Sequence, residues 1–83
     1  MTIYEGSFSI PSDARFAIVS ARFNHFIVDR LVEGALDGLK RHGAADEQID
    51  HVLTPGAWEL PLIVKRLAGS GRYSAILALG AVI

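Results

Sequence analysis

The chain has 83 residues, of which 51% are hydrophobic and 20% are charged, and this composition predicts one globular domain and excludes an intrinsically disordered protein. Its formal net charge is −1 and it contains no cysteine, so we expect neither a nucleic-acid partner, nor disulfides, nor thiolate metal sites. Because no apolar run approaches the ~20 residues that cross a bilayer and the N-terminus lacks a secretory-signal pattern, we expect no membrane partner and a soluble, cytoplasmic protein.

The first half of the chain predicts an extended arm, a buried strand and an amphipathic helix. Residues 1–13 form the arm, within which Phe8–Ile10 alternates and then meets a proline, as in a short edge strand or an extended segment. Arg15–Ala21 is almost continuously apolar, which is typical of a strand covered on both faces. Asn24 is a candidate N-cap for the helix that follows, and His42–Gly43 has the composition of a helix end.

The second half predicts a strand, a helix and a further strand. Ile49–Thr54 is the strand, and the following helix has Glu59 in its first turn and Pro61 near its start, where a proline is tolerated. Tyr73–Ile83 is an apolar run that predicts the third strand.

This order of elements predicts an α/β fold, with parallel strands joined by right-handed crossovers over residues 14–83. The chain stops at an apolar strand with no third helix to cover it, and bare sheet edges favour association or aggregation. We therefore expect residues 1–83 to be the N-terminal part of a single, larger domain.

The carboxyl ends of the three predicted strands carry the unusual residues of the chain. These ends are Ser20–Asn24, Thr54–Glu59 and Gly80–Ile83, and parallel strands place all three at one edge of the sheet, where open α/β sheets bind ligands. The first two segments each carry an aromatic ring, and the second also carries a carboxylate. With free backbone groups in the third, they predict a pocket for a flat polar heterocycle.

Each of these side chains also has a purely structural interpretation. Glu59 could only stabilise a helix N-terminus, Trp58 could be a core residue that caps the sheet, and Phe23 could be a hydrophobic staple for the first helix. The 3 histidines have no ligand-like spacing, so we assign no metal. Neither GxxxxGK[ST] nor GxGxxG occurs, so no phosphate loop is predicted.

In this order and spacing, "ARFN", "PGAWELP" and "ALGAVI" resemble the lumazine synthase family, whose members catalyse the penultimate step of riboflavin biosynthesis. With "VEGALDGLKRHG" and the arm, the resemblance covers the whole chain. It implies a flavodoxin-like parallel sheet with helices on both faces, truncated here after the third core strand. It also implies a homo-oligomer, either a pentamer or a capsid of pentamers, in which the arm adds to a neighbour's sheet and the active site lies between subunits.

The resemblance further implies a transferase that needs no cofactor. Its substrates are 5-amino-6-(D-ribitylamino)uracil and 3,4-dihydroxy-2-butanone 4-phosphate. The substrate-binding residues that the resemblance implies in this chain are Phe23, Ala57, Trp58, Glu59, Ala81, Val82 and Ile83. Phe23 would stack on the pyrimidine, residues 57–59 would line the ring and the ribityl chain, and residues 81–83 would bind the ring edge through backbone groups. The family usually has Phe or Tyr where Trp58 stands, and an indole there should still form an apolar wall.

The family pattern continues beyond Ile83 with an arginine and a glycine, a phosphate-binding turn and the histidine thought to transfer protons. None of these is in the sequence, so we assign no catalytic residue. We expect the chain to carry the pyrimidine-binding half of the site and to be inactive alone. Two alternatives remain open: a non-catalytic module that binds a flavin-like or pterin-like ring, and a subunit with a role in assembly.

Overall fold

The computed structural model describes residues 1–83 and contains one parallel sheet of three strands with two α-helices. The elements are β1 (Phe16–Ala21), α1 (His25–Arg41), β2 (Ile49–Thr54), α2 (Leu60–Gly69) and β3 (Ala75–Leu79), with short 3₁₀ helices at Asp46–Gln48 and Ala57–Glu59. The predicted α/β class and the alternation of strands and helices are confirmed. No helix in this set has the length and apolar character needed to cross a membrane.

Strand β1 lies in the centre of the sheet, between β2 and β3, and pairs with both in parallel. Ile18 is opposite His51 on one side and Leu77 on the other. Because both of its edges are hydrogen-bonded and both of its faces are covered, β1 contributes half of the buried residues, including Ala17 and Val19. The central position of β1 in the sheet therefore explains why Arg15–Ala21 is almost continuously apolar.

The two helices cover opposite faces of the sheet. On one face, Val28 and Val32 of α1 form a buried cluster with Ile18, and Leu79 packs against it. The next residue, Gly80, faces Leu60 of α2 instead. Since successive residues of an extended chain point to opposite faces, α1 and α2 must lie on different sides, as predicted.

The third strand is shorter than predicted, because it ends at Leu79 rather than at Ile83. Its last partner on β1 is Ser20, after which the β1 chain turns away towards β2. Residues 80–83 therefore have no neighbouring strand to pair with and leave the sheet. At the other end, Ser74 N–H donates to the Arg15 carbonyl at 2.7 Å, before regular pairing begins.

The arm has no strand or helix up to residue 15, so the strand alternative for Phe8–Ile10 is not formed in this chain. The base of the arm is nevertheless held in place. Ile10 N–H donates to the His42 carbonyl at 3.0 Å, and Gln48 Nε2 donates to the Pro11 carbonyl at 3.0 Å. Helix α1 ends at His42–Gly43, as predicted, with His42 as the C-cap residue and Gly43 after it with a positive φ of 102°, a backbone conformation that favours glycine.

A polar cluster centred on Asp50 joins all three strands at the amino end of the sheet, and the sequence pattern gave no indication of it. The Tyr73 hydroxyl donates to Asp50 Oδ2 at 2.6 Å, and Arg15 donates to the same oxygen at 3.4 Å. The Tyr73 hydrogen bond, followed by the bond and charge of Arg15, lowers the pKa of the Asp50 carboxyl below its usual 3.8.

We expect Tyr73→Phe to lower the free energy of unfolding by about 1 kcal/mol at pH 7, since it removes one charge-assisted hydrogen bond from a partly exposed carboxylate. Because the pKa of the Asp50 carboxyl is lower in the folded state than in the unfolded state, ionisation of this carboxyl stabilises the folded protein. The stabilisation is complete above pH 3.8 and is lost as the pH falls through the folded-state pKa. The free energies of unfolding of the original protein and of Tyr73→Phe, measured by urea denaturation, should therefore become more similar below pH 3.8. A difference that is constant down to pH 2 would contradict this account.

Candidate functional site

The carboxyl ends of β1 and β2 are joined by backbone hydrogen bonds that continue past the strands. Arg22 N–H donates to the Thr54 carbonyl at 2.8 Å, and Phe23 N–H donates to the Pro55 carbonyl at 3.0 Å. These bonds hold the backbone of Phe23 beside the loop that leads to Trp58. The structure thus brings together the first two segments that the sequence singled out.

The carboxyl end of β3 meets the same edge through one close packing contact and one side-chain hydrogen bond. A Cβ atom built on Gly80 would lie 3.3 Å from the Ala57 Cβ and 3.0 Å from Leu60 Cδ1. Asn24 Nδ2 donates to the Ala81 carbonyl at 3.0 Å. All three predicted segments therefore converge at one edge of the sheet, which we call the rim and define as residues 22–24, 55–59 and 80–83.

Asn24 is the N-cap residue of α1, as predicted, and its backbone carbonyl accepts hydrogen bonds from the N–H groups of Ile27 and Val28, but its side chain makes no capping hydrogen bond. Its backbone is left-handed, with φ 63° and ψ 40°, whereas a capping residue is normally extended. The amide instead reaches across the sheet to the carbonyl of Ala81. Asparagine is among the few residues that adopt the left-handed conformation at moderate cost. An asparagine between a strand and a helix is therefore the signal in the sequence that could have indicated a donor to a distant carbonyl.

The loop after β2 is shaped by Thr54, a buried residue that the sequence analysis did not single out. Its hydroxyl donates to the Gly56 carbonyl at 3.1 Å, and Glu59 N–H donates to the same carbonyl at 3.2 Å. Ala57–Glu59 thereby forms a 3₁₀ turn, so Glu59 lies just before α2 rather than in its first turn. Pro61 is near the helix start, as predicted.

The large apolar side chains of the rim are open to solvent, whereas Ala57, Glu59 and Ala81 are half-buried. The exposed fractions are 71% for Phe23, 92% for Trp58, 89% for Val82 and 92% for Ile83. The interpretation of Trp58 as a core residue is therefore wrong, and most of Phe23 is free of any packing role. The rim aromatics do not stack on each other, since the paired rings of the chain are Phe8 with His42 and His25 with Phe26. The rim is thus one apolar wall with two accessible rings.

The one cavity of the chain, of about 420 Å³, lies next to the rim on the side of β2. Its lining residues are Ala21, Arg22, His25, Asp29 and Leu53. None of the seven predicted substrate-binding residues lines it, so the roles of those residues remain predictions. An enclosed site at the rim would require a second wall, because pockets for small molecules bury most of the ligand surface.

The histidines are engaged in separate contacts. His51 Nε2 is 2.7 Å from the Ser20 hydroxyl, His42 Nδ1 is 2.7 Å from the Gly38 carbonyl, and His25 packs on Phe26. No three His, Asp or Glu side chains are close enough together to hold a metal ion.

The rim offers aromatic faces, backbone groups and one carboxylate, which suit binding of a heterocycle with a polar substituent.

The family model and the curated relatives that match this chain all carry the same description. A family model described as 6,7-dimethyl-8-ribityllumazine synthase matches residues 13–83. The protein of that name from Sulfurimonas denitrificans is 55% identical over 83 residues, which are 100% of this chain and 54% of that protein. Those from Halorhodospira halophila and Helicobacter pylori are 53% and 51% identical, again over 100% of this chain and 53% of each protein. The chain thus spans about half the length of the curated relatives it matches.

We expect Gly80→Ala to destabilise the protein by roughly 1–3 kcal/mol, because the added methyl group would be too close to both Ala57 and Leu60. Gly38→Ala is the matched control. It makes the same change inside α1, where nothing lies within 4 Å, and should stabilise by about 0.5–1 kcal/mol. Chemical denaturation measures both, and equal effects of the two substitutions would show that β3 and the start of α2 do not pack closely at Gly80.

Proposed function

The chain belongs to the 6,7-dimethyl-8-ribityllumazine synthase family, and we propose that it supplies the pyrimidine-binding wall of a lumazine synthase active site. The whole protein, in this proposal, is a transferase of riboflavin biosynthesis that condenses 5-amino-6-(D-ribitylamino)uracil with 3,4-dihydroxy-2-butanone 4-phosphate. The observation that carries the proposal is the convergence of three separate segments at the rim, through Phe23 with Pro55, Asn24 with Ala81, and Gly80 with Ala57.

Recognition of the pyrimidine is assigned to Phe23 and to residues 81–83. The Phe23 ring is accessible and its backbone is fixed to Pro55, so it offers a face on which a flat ring can stack. Residues 81–83 have left the sheet, and most of their backbone N–H and C=O groups have no partner. A uracil edge alternates donors and acceptors, so unpaired backbone groups of both kinds are suitable partners.

The ribityl chain is assigned to the loop at Ala57, Trp58 and Glu59. The carboxylate of Glu59 can accept hydrogen bonds from hydroxyl groups, and the indole of Trp58 provides an apolar wall beside the ring. A second function of Glu59 at the N-terminus of α2 is compatible with this role, since the carboxylate precedes the helix.

Proton transfer and phosphate binding are not assigned to any residue of this chain. We propose that they come from outside residues 1–83, which form the N-terminal part of a single domain, with an arm at 1–13 and the strand–helix repeat at 14–83. The second wall of the site would come from a neighbouring subunit of a homo-oligomer, a pentamer or a capsid of pentamers. The absence of cysteine suits a reducing cytoplasm.

Enzyme assay of the protein as its gene encodes it tests the proposal. With both substrates, we expect formation of 6,7-dimethyl-8-ribityllumazine, followed by its absorbance. The 83-residue chain alone should show no measurable turnover, because general acid–base catalysis contributes about 10²–10⁴-fold and phosphate binding would also be lost. Binding of the pyrimidine by the gene product without any turnover would favour the non-catalytic binding module instead.

We expect Phe23→Ala to weaken binding of 5-amino-6-(D-ribitylamino)uracil roughly 10-fold, since one ring stacked on an aromatic side chain contributes about 1–3 kcal/mol. Phe26→Ala is the matched control, because Phe26 is also an exposed aromatic, lies near the start of α1, packs on His25 and is not part of the rim. Quenching of Trp58 fluorescence provides the titration signal. Equal affinity losses in the two variants would contradict the assignment of Phe23.

A further inference from the structure

We infer that Asn24 is a positioning residue that fixes the backbone of residues 81–83 against the rest of the rim, and this inference rests on the proposed function. Asn24 Nδ2 donates to the Ala81 carbonyl at 3.0 Å and links positions 57 residues apart in the sequence. The amide is partly buried, so the bond is not one that solvent readily replaces.

This hydrogen bond is the only one that the structure gives residues 80–83. Strand pairing ends at Leu79, and Val82 and Ile83 are exposed. Gly80 packs on α2 and Ala81 packs against the core cluster of α1 and β1, and the Asn24 amide adds the hydrogen bond that orients the Ala81 carbonyl and the exposed residues after it. Loss of the bond would leave the segment with many accessible backbone conformations.

The backbone of Asn24 is also unusual, because it is the one non-glycine residue of the chain with a positive φ. This conformation turns the chain from β1 into α1 immediately after Phe23, and the amide donates to the Ala81 carbonyl beyond the end of β3 rather than to the helix N-terminus. A helix start with an ordinary capping residue would satisfy its own N–H groups and leave Ala81 without this partner. Asn24 thus directly links the segment that carries the Phe23 ring to the backbone of residues 81–83 and helps to fix their spacing.

A ligand that stacks on Phe23 and pairs with residues 81–83 at the same time needs these two surfaces at a fixed separation. Without the amide, the ligand would have to order the segment on binding, and part of the interaction free energy would be lost. The inference therefore concerns affinity for the pyrimidine and not the chemical steps.

Two substitutions in the protein as its gene encodes it separate the amide from the backbone conformation. Asn24→Gly removes the amide but readily adopts the positive φ, and Asn24→Asp keeps the shape but replaces the donor with an acceptor. We expect both to raise KM for 5-amino-6-(D-ribitylamino)uracil roughly 3- to 10-fold, the effect of one hydrogen bond of ordinary strength. KM for the butanone phosphate should stay within about twofold, because only the pyrimidine surface is altered.

Glu33→Gln is the control, since Glu33 lies further along α1, is exposed, and is outside both the rim and the cavity. It should leave both KM values unchanged. A general loss of folded protein would lower kcat without this split between the two substrates. Unchanged KM for the pyrimidine in Asn24→Gly and Asn24→Asp, or equal increases for both substrates, would overturn the positioning role and leave the proposed function intact. Failure of the unsubstituted protein to bind the pyrimidine would overturn both.

Discussion

Parallel pairing of β1 with both of its neighbours is the constraint on which the rest of this structure depends. It sends all three chain segments in one direction, so that their carboxyl ends reach the same edge of the sheet. It also requires a crossover between strands, and α1 and α2 then cover opposite faces and bury every residue of β1 after Phe16. Convergence of residues far apart in sequence at the rim is a direct result of this topology.

Periodicity and composition predicted the central part of each element, because burial imposes a repeating pattern there. Ile49–Thr54 has the predicted limits, and β1 differs by one residue. The ends of elements were less predictable, since they depend on neighbours that the sequence does not reveal. β3 ends at Leu79 because β1 turns away after Ser20 and Ala21, although the apolar run continues to Ile83.

At the site, the sequence predicted which segments meet but not the contacts that join them. The convergence followed from topology alone, whereas the Asn24 amide could be assigned only once its direction was known. An asparagine between a strand and a helix has two uses that its type does not distinguish, as a cap for the helix and as a donor to a distant carbonyl. The Asp50 cluster was missed for a similar reason, because Arg15 and Tyr73 come close to Asp50 only after β2 and β3 have aligned on either side of β1.

The openness of the rim determines what this part of the chain can do by itself. Sites that bind small molecules tightly cover about 70–90% of the ligand, and a single wall covers one face of a flat ring. Trp58, Val82 and Ile83 expose nearly all of their surface. Exposure of apolar surface to water is unfavourable in free energy, and a second wall would bury it. A second wall would therefore increase both the coverage of a flat ring bound at the rim and the burial of these apolar side chains. A ligand and a second wall that arrive together would each increase the binding of the other, because each completes the surface that the other contacts.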